Sequence, residues 1–214
     1  MTRHMKIDKL KVEIAQRLRA LDKEYLSIQR LMVRYYGLHP KHIFFPRTEF
    51  LRQHVTCEDV LLDLGCGFGI LPFLIASHVK KVIGVDRHPP DPQFAKQNYE
   101  HVVQDVNVFL GKGRTGYTVA FLSHILEHLE DPASALSRLT CNRVIVIVPR
   151  IESWEVMVRK DLEVEWRMDP EHYRLYSRNM LREHLLQGGF PIIDVLEFDG
   201  DNGIRAVARR MRSK

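Results

Sequence analysis

A glycine-rich loop and a downstream acid are the first residues whose types and spacing indicate chemistry. Asp63 precedes a G-x-G-x-G run made by Gly65, Gly67 and Gly69, and Asp86 closes the next apolar run. Glycines adopt positive φ and let a ligand approach bare backbone. A carboxylate at the end of the following strand can accept hydrogen bonds from two ribose hydroxyls. The pattern therefore predicts a nucleoside-binding site.

The details of the loop favour a cofactor without phosphate over a dinucleotide. The dinucleotide fingerprint is G-x-G-x-x-G, whereas this loop is G-x-G-x-G with Asp63 two residues before its first glycine. A dinucleotide needs the loop tight against its pyrophosphate. A cofactor with an amino-acid end instead favours a nearby acid, which meets an ammonium or sulfonium charge directly or through water. We therefore expect the second kind of ligand.

A histidine-rich segment, His124-Ile125-Leu126-Glu127-His128, matches the H-x-x-E-H form of some zinc peptidases. A peptidase site needs a helix flanked by helices and a third downstream ligand, whereas this motif directly follows an apolar strand. We therefore predict no metal site, and a structural role for His128. His124 lies nearer the strand end, where a neutral imidazole can take a proton from an acceptor hydroxyl. The alternative is that His124 only forms part of the pocket wall.

The elements that must position these residues alternate between strands and helices. Apolar runs predict strands at 60–64, 81–85, 102–103, 118–122 and 143–148, with helices near 70–78, 92–99 and 132–139. Two further strands, at 192–198 and 204–208, flank a turn-rich loop suited to a hairpin. The sequence thus predicts an α/β fold with a doubly wound, mostly parallel seven-stranded sheet that ends in an antiparallel hairpin.

An N-terminal helical extension precedes this sheet. From Ile7 to about Tyr36 apolar residues recur at steps of three and four, which predicts an amphipathic helix ended by Gly37 and Pro40. We assign residues 1–45 to the extension and 46–214 to the sheet domain. We expect the helix to pack on the domain body; a lid over the substrate or a dimer contact are the alternatives. Both a monomer and a homodimer remain open.

Composition restricts the class of protein. The 214 residues are 45% hydrophobic and 28% charged, which is typical of a soluble globular protein. The chain has no apolar run long enough to cross a bilayer and no secretory signal, and its three cysteines form no C-x-x-C pair. We therefore expect a cytoplasmic protein without a membrane partner. The net charge of +5 hints at an anionic partner such as RNA.

Three segments, VLLDLGCGFG, VIGVDRHP and FLSHILEHLEDP, closely resemble the class I S-adenosylmethionine-dependent methyltransferases, and among them the small methyltransferase-domain group. The resemblance runs from about Val60 to the end of the chain. It implies S-adenosylmethionine as cofactor, with Asp86 on the ribose, Arg87 along the adenine and Asp105 at the adenine amino group. The full set of cofactor-binding residues that it implies is Asp63, Gly65, Cys66, Gly67, Asp86, Arg87, Asp105, Ser123 and His124.

The resemblance implies transfer of a methyl group to an oxygen or nitrogen acceptor, which we expect to be a small molecule. Strand four ends in Ser123 and His124 instead of the Asn/Asp-Pro-Pro-aromatic tetrapeptide of exocyclic base methylases, so that subclass is disfavoured. An aromatic-rich insertion at about 150–179 is the expected substrate side, with His172 and Tyr176 as the candidate residues. The alternatives are an RNA methyltransferase, a cofactor-binding subunit without catalysis, and a nicotinamide oxidoreductase.

Overall fold

The computed structural model describes residues 3–36, 47–166, 169, 171–199 and 203–211. The expected helix stop at Gly37 and Pro40 and the middle of the expected hairpin turn, 200–202, lie outside these residues. The chain folds into two compact units. One contains Met1–Phe45 with Glu152–Met168, and the other contains Pro46–Ile151 with Asp169–Lys214.

A single mixed sheet of seven strands is the centre of the larger unit. Its strands are β1 (Val60–Leu64), β2 (Lys81–Asp86), β3 (Tyr99–Val103), β4 (Val119–Ser123), β5 (Arg143–Pro149), β6 (Ile192–Asp199) and β7 (Gly203–Arg209). Their order across the sheet is β3-β2-β1-β4-β5-β7-β6. The first five strands pair in parallel, and β7 pairs antiparallel with both β5 and β6. The predicted fold class is confirmed, including the antiparallel end.

The helices are short except for the first. They are α1 (Arg3–Tyr36), α2 (Arg47–Gln53), α3 (Ile70–Ile75), α4 (Val106–Gly111), α5 (Pro132–Ser137), α6 (Trp154–Asp161) and α7 (Arg178–Gln187). Single 3-10 turns lie at Ala76–His78, Pro92–Phe94 and Leu126–His128.

The helix predicted near residues 92–99 is wrong. Only the 3-10 turn Pro92–Phe94 forms there, and β3 already begins at Tyr99. The Asn98 side chain explains the difference, because its Nδ2 donates to the carbonyl oxygen of Ala76 at 2.7 Å and ties this segment to the sheet. A tertiary hydrogen bond of this kind leaves no local periodicity in the sequence.

Buried side chains cover both faces of the sheet. Alternate residues of one strand serve opposite faces: Leu62 and Leu64 belong to a core that also contains buried residues of α4, α5 and α7, whereas Leu61 belongs to a second core with residues of α2 and α3. All five residues from Val144 to Val148 are buried, as expected for a strand covered on both sides. Each such side chain contributes about 1.5–3 kcal/mol relative to its exposed state.

The strand order creates the crevice in which ligands of open α/β sheets bind. The chain runs outward from β1 through β2 to β3, then returns to place β4 on the other side of β1. Such a reversal leaves a cleft beyond the carboxyl ends of the two central strands. In this sheet the cleft lies beyond Leu64 of β1 and Ser123 of β4.

The smaller unit joins two segments that are distant in the sequence. Arg159 of α6 donates through Nη1 to Asp22 Oδ2 of α1 at 2.9 Å, and Lys11 Nζ lies 3.6 Å from Asp161 Oδ2. The predicted amphipathic helix is confirmed as α1. Several of its apolar side chains are exposed: Leu10, Ile14, Leu21, Tyr25, Ile28, Leu31 and Tyr35. No helix among the described residues has the length and hydropathy needed to span a membrane.

Candidate functional site

The glycine loop between β1 and α3 has the backbone that only glycine adopts easily. Gly65 and Gly67 have φ values of 75° and 56°. The N–H of Gly65 donates to the carbonyl oxygen of Val85 at 2.8 Å, which fixes the loop to the end of β2. A Cβ atom at Gly65 would approach Ile125 Cδ1 to 2.9 Å, closer than real contacts allow. The loop therefore favours glycine here because of its positive φ, and a larger residue would also displace the end of the Ile125 side chain.

Asp86 faces this loop from the end of β2. Its Oδ2 accepts a hydrogen bond from the N–H of Gly67 at 2.8 Å, and its Oδ1 accepts from the N–H and from Nδ1 of His88, each at 2.9 Å. Burial opposes ionisation, but these hydrogen bonds prevail and lower the pKa of Asp86. The carboxylate is thus ionised and fixed in place. Oδ1 already accepts two hydrogen bonds, whereas Oδ2 accepts one and keeps a lone pair for another donor.

Asp63 is a second carboxyl group beneath the loop, at the penultimate position of β1. It is 2% exposed, and no basic side chain among the described residues forms an ion pair with it. Burial, and secondarily the charge of Asp86, raise the pKa of Asp63 well above its ordinary value of 3.8. A cation brought into the cleft would reverse this shift, since an opposite charge favours the ionised form.

Cys66 contributes backbone to the loop, while its thiol points toward the sheet. Its Sγ lies 3.9 Å from Tyr99 Oη and 3.8 Å from His101 Nδ1. Burial raises the pKa of the Cys66 thiol, so it stays protonated and unreactive. The expected role of Cys66 in cofactor binding would therefore rest on its backbone.

The two residues expected at the adenine lie at the edge of the site. Arg87 has a largely exposed side chain whose Nη2 lies 3.2 Å from Glu171 Oε2. Asp105 is the N-cap of α4, where its Oδ1 accepts from the backbone N–H groups of Asn107 and Val108. Both capping bonds engage Oδ1.

His124 follows the half-buried Ser123 and has the left-handed φ of 53°, which is rare outside glycine. Its ring is held from both sides. Nδ1 lies 3.0 Å from Glu127 Oε1, and Nε2 lies 2.8 Å from Nη2 of Arg47. Since a guanidinium only donates, Nε2 is the acceptor and Nδ1 carries the proton that Glu127 accepts. These two contacts hold the His124 ring in the tautomer with its proton on Nδ1.

Two residues at this centre were not identified from the sequence as site residues. Glu127 is fully buried, and its Oε2 has no hydrogen-bond partner among the described residues. Arg47 comes from α2; burial lowers its pKa, while the charges of Asp199 and Glu127 act in the opposite direction. The H-x-x-E-H spacing was a signal for Glu127. Arg47 had none, because it reaches His124 across 77 positions of the chain.

The segment 171–177 brings His172 next to Glu127, whereas the hydroxyl of Tyr176 lies next to His184. The rings of His172 and His128 meet edge to face with centroids 4.5 Å apart, and His172 Nε2 lies 4.0 Å from Glu127 Oε1. Burial lowers the pKa of His172 despite the nearby Glu127 charge. Tyr176 is fully buried, and its hydroxyl lies 3.2 Å from Nδ1 of His184 inside the core. Its expected position facing the substrate is wrong, because this side chain is part of the core packing.

Comparison with known proteins identifies the same family as the motifs in the sequence. A family model described as a methyltransferase domain matches residues 58–195. The chain is 28% identical over 135 residues to a ubiquinone biosynthesis O-methyltransferase of Saccharophagus degradans, with 57% of each protein covered. It is 45% identical over 53 residues to an uncharacterized RNA methyltransferase of Chlamydia trachomatis, which covers 25% of this chain and 13% of that protein. The chain thus matches little more than half of one of these relatives and much less of the other.

One solved structure shares the fold over nearly the whole chain. It is the 1,6-didemethyltoxoflavin-N1-methyltransferase of Burkholderia thailandensis, solved with 1,6-didemethyltoxoflavin and S-adenosylhomocysteine. The TM-score is 0.60 at 16% identity, with 92% of this chain and 90% of that chain covered. At this identity the likeness establishes the fold and does not extend to the acceptor.

Proposed function

The chain belongs to the methyltransferase-domain family, whose methyl donor is S-adenosylmethionine, and we propose that it methylates an oxygen or nitrogen atom of a small molecule. The acceptor class is supported by the similarity to a ubiquinone biosynthesis O-methyltransferase. The observation that carries the cofactor part of the proposal is the pair of carboxyl groups on either side of the glycine loop. Asp86 is ionised and oriented toward the cleft, and Asp63 is buried without a cation among the described residues. A nucleoside with a sulfonium and an ammonium group matches both.

The two carboxyl groups divide the recognition of such a cofactor. Asp86 accepts a hydrogen bond from one ribose hydroxyl through the lone pair of Oδ2 that Gly67 leaves free, and from the second at Oδ1 once the His88 side chain gives up its bond to that oxygen. Asp63 supplies negative charge toward the amino-acid end, directly or through water. The remaining cofactor-side residues that we propose are Gly65, Cys66, Gly67, Arg87, Asp105, Ser123 and His124. The first three contribute through backbone atoms, because their side chains are absent or face the sheet.

Methyl transfer itself asks little covalent chemistry of the protein. The methyl carbon is already activated by its sulfonium, so the main tasks are to bring the acceptor to it and to exclude water. We propose His124 as the residue that faces both ligands and His172 as a residue on the acceptor side. Since Nε2 of His124 accepts from Arg47, the imidazole can take a proton from an acceptor only after Arg47 moves or turns toward the acceptor.

Ligand binding measured by calorimetry tests the cofactor part of the proposal. We expect S-adenosylmethionine and S-adenosylhomocysteine to bind, and NAD not to bind. Asp86→Ala should weaken S-adenosylhomocysteine binding by about 1–3 kcal/mol, because charge-assisted hydrogen bonds to the ribose are lost. Asp194→Ala is the control, because Asp194 is an exposed acid on the edge strand β6 that pairs with Arg209. This variant should bind S-adenosylhomocysteine as the unaltered protein does. Binding of NAD alone would contradict the assignment.

Steady-state kinetics with an accepted substrate test the role of His124. If His124 is a general base, His124→Ala should lower the rate roughly a hundredfold or more and flatten the pH profile near neutrality. If it only shapes the pocket, the loss should be small and independent of pH. His78→Ala, at an exposed histidine in a 3-10 turn, is the matched control for removing an imidazole.

RNA is the second candidate acceptor, supported by the net charge of +5 and by the local identity to an RNA methyltransferase of Chlamydia trachomatis. The longer alignment to a small-molecule O-methyltransferase favours the first candidate. Binding to RNA through phosphates weakens steeply with salt, whereas binding of an uncharged small acceptor does not. Activity on RNA that falls with a steep salt dependence would favour the second candidate.

A further inference from the structure

Glu127 is the centre of a cluster of donor atoms that the cofactor does not account for. Its carboxylate is fully buried, beneath the segment that follows β4. Nδ1 of His124 lies 3.0 Å from Oε1 of Glu127, and Nε2 of His172 lies 4.0 Å from the same atom. One ligand atom from each of Glu127, His128 and His172 lies within 4.8 Å of the other two.

The second carboxylate oxygen of Glu127 provides an independent observation. Oε2 is buried and has no hydrogen-bond partner among the residues that the structure describes. A buried carboxyl oxygen without a hydrogen-bond partner costs about 1–3 kcal/mol unless a ligand satisfies it. The Glu127 side chain has no exposed surface. Its other oxygen, Oε1, lies 3.0 Å from His124 Nδ1 and 4.0 Å from His172 Nε2.

The fold supplies the third downstream ligand that the sequence does not reveal. The N–H of Tyr173 donates to the carbonyl oxygen of Glu127 at 2.8 Å, which fixes the late segment to the H-x-x-E-H motif. This bond places His172 edge to face against His128. Two imidazoles and one carboxylate therefore meet, although they come from segments more than forty positions apart.

From this geometry we propose that Glu127, His128 and His172 bind a divalent transition-metal ion, while His124 holds Glu127 in place through its Nδ1. Imidazole nitrogens together with one carboxylate favour zinc, manganese, iron or cobalt over magnesium and calcium, which prefer oxygen ligands. Ligand atoms around a tetrahedral ion with bonds of ~2.1 Å lie roughly 3.4 Å apart. The three ligand atoms lie within 4.8 Å of one another, so each pair would approach by at most about 1.4 Å when an ion binds.

The function that we assign to the ion rests on the proposed methyl transfer to a small molecule. Three protein ligands leave coordination positions open, as in catalytic metal sites. An acceptor oxygen bound there would be oriented beside the cleft and would lose its proton more easily, since the ion acts as a Lewis acid. No change of oxidation state is involved.

Titration of the chelator-treated, tag-free full chain with Co²⁺ tests the site without relying on activity. We expect one Co²⁺ per chain, seen as visible absorption bands that Zn²⁺ abolishes by competition. Glu127→Gln and His172→Asn should each weaken Co²⁺ binding at least about tenfold, because they remove a ligand. His78→Ala removes an exposed histidine and should bind Co²⁺ like the unaltered protein.

Melting curves of the metal-free variants and their binding of S-adenosylhomocysteine verify that each variant is folded. The inference is overturned if the unaltered protein binds no stoichiometric Co²⁺, or if folded Glu127→Gln and His172→Asn variants bind it undiminished. A protein that binds S-adenosylhomocysteine but fails to bind Co²⁺ would contradict the metal site and leave the proposed function intact. A protein that binds Co²⁺ but fails to bind S-adenosylhomocysteine would contradict the proposed function and leave the metal site intact.

Discussion

Asp63 and Glu127 are buried carboxyl groups beside the crevice, and burial of such groups destabilises the folded protein. Each carries a carboxyl group with almost no exposed surface, next to the ends of the adjacent strands β1 and β4. A buried carboxyl group costs less when a hydrocarbon side chain replaces it than when it remains without a partner. Such groups cluster at sites where a ligand supplies the missing charge. These are the two positions at which we propose a bound cation, namely the charged amino-acid end of the cofactor at Asp63 and the metal ion at Glu127.

The buried Asp63 makes a testable prediction about stability and pH. Its pKa is raised in the folded state, so the folded protein holds this proton at pH values where the unfolded chain has lost it. Stability from this group is full below its ordinary pKa of 3.8 and is lost as the pH rises through the raised pKa. The slope approaches about 1.4 kcal/mol per pH unit within that window.

Urea unfolding at several pH values measures this slope. Asp63→Asn should remove the decline above pH 3.8, whereas the control Asp194→Ala should keep it. Affinity for S-adenosylhomocysteine should rise with pH over the same window, because its ammonium group favours ionised Asp63. Identical pH slopes for Asp63→Asn and the unaltered protein would show that Asp63 is not the group responsible.

Local motifs predict some single residues well and others not at all. The glycines and Asp86 lie within one loop and one strand end, so their spacing alone places them together. Arg47 meets His124 only because α2 packs at the crevice, and Tyr176 enters the core only because the late segment pairs with Arg150. No short-range pattern carries such contacts.

At the scale of elements, apolar runs predict the central strands almost to the residue. β1 and β5 are buried on both faces, and their continuous apolar residues leave little ambiguity. β3 is harder to recognise, because its Tyr99, Glu100 and His101 are half-buried and polar. The short helix α4 escapes a search for periodicity, since six residues are too few to show it.

Contact between α5 and α7 gives a prediction at this scale. Gly188 closes α7 with φ −75°, so its backbone suits any residue, but a Cβ there would clash with Leu136 of α5. Gly188→Ala should therefore destabilise the protein by about 1–3 kcal/mol through overpacking. Gly111→Ala is the control: nothing lies within 4 Å of a Cβ there, and it should be neutral or stabilise by up to about 1 kcal/mol. Thermal unfolding measures both, and equal shifts would contradict the close packing.

At the scale of the whole molecule, the chain forms its smaller unit from two distant segments. The sequence divides naturally into an N-terminal extension and an insertion after β5, and no local pattern predicts that they associate. The more buried of the two ion pairs named between them joins Arg159, which is 8% exposed, to Asp22. Its two residues are 137 positions apart, so the pairing depends on the tertiary fold.

Loss of this ion pair should loosen α1 without disturbing the sheet. We expect Arg159→Ala to lower hydrogen-exchange protection of the α1 amides near Asp22 about fivefold, equivalent to ~1 kcal/mol, because Asp22 is partly exposed. Amides of β1 and β4 should exchange at unchanged rates. Arg182→Ala, at an exposed position of α7, is the control. Unchanged protection of α1 in Arg159→Ala would show that the ion pair contributes nothing to the smaller unit.

The burial of two of the three cysteines gives the folded chain a single chemical handle. Cys57 is exposed. Cys66, in the glycine loop, and Cys141, just before β5, are both buried. Burial raises the pKa of Cys141 to about 11, so that thiol holds its proton at neutral pH. Alkylating reagents require a thiolate that they can reach. A fluorophore or spin label therefore attaches at Cys57 alone, without mutagenesis and away from the crevice.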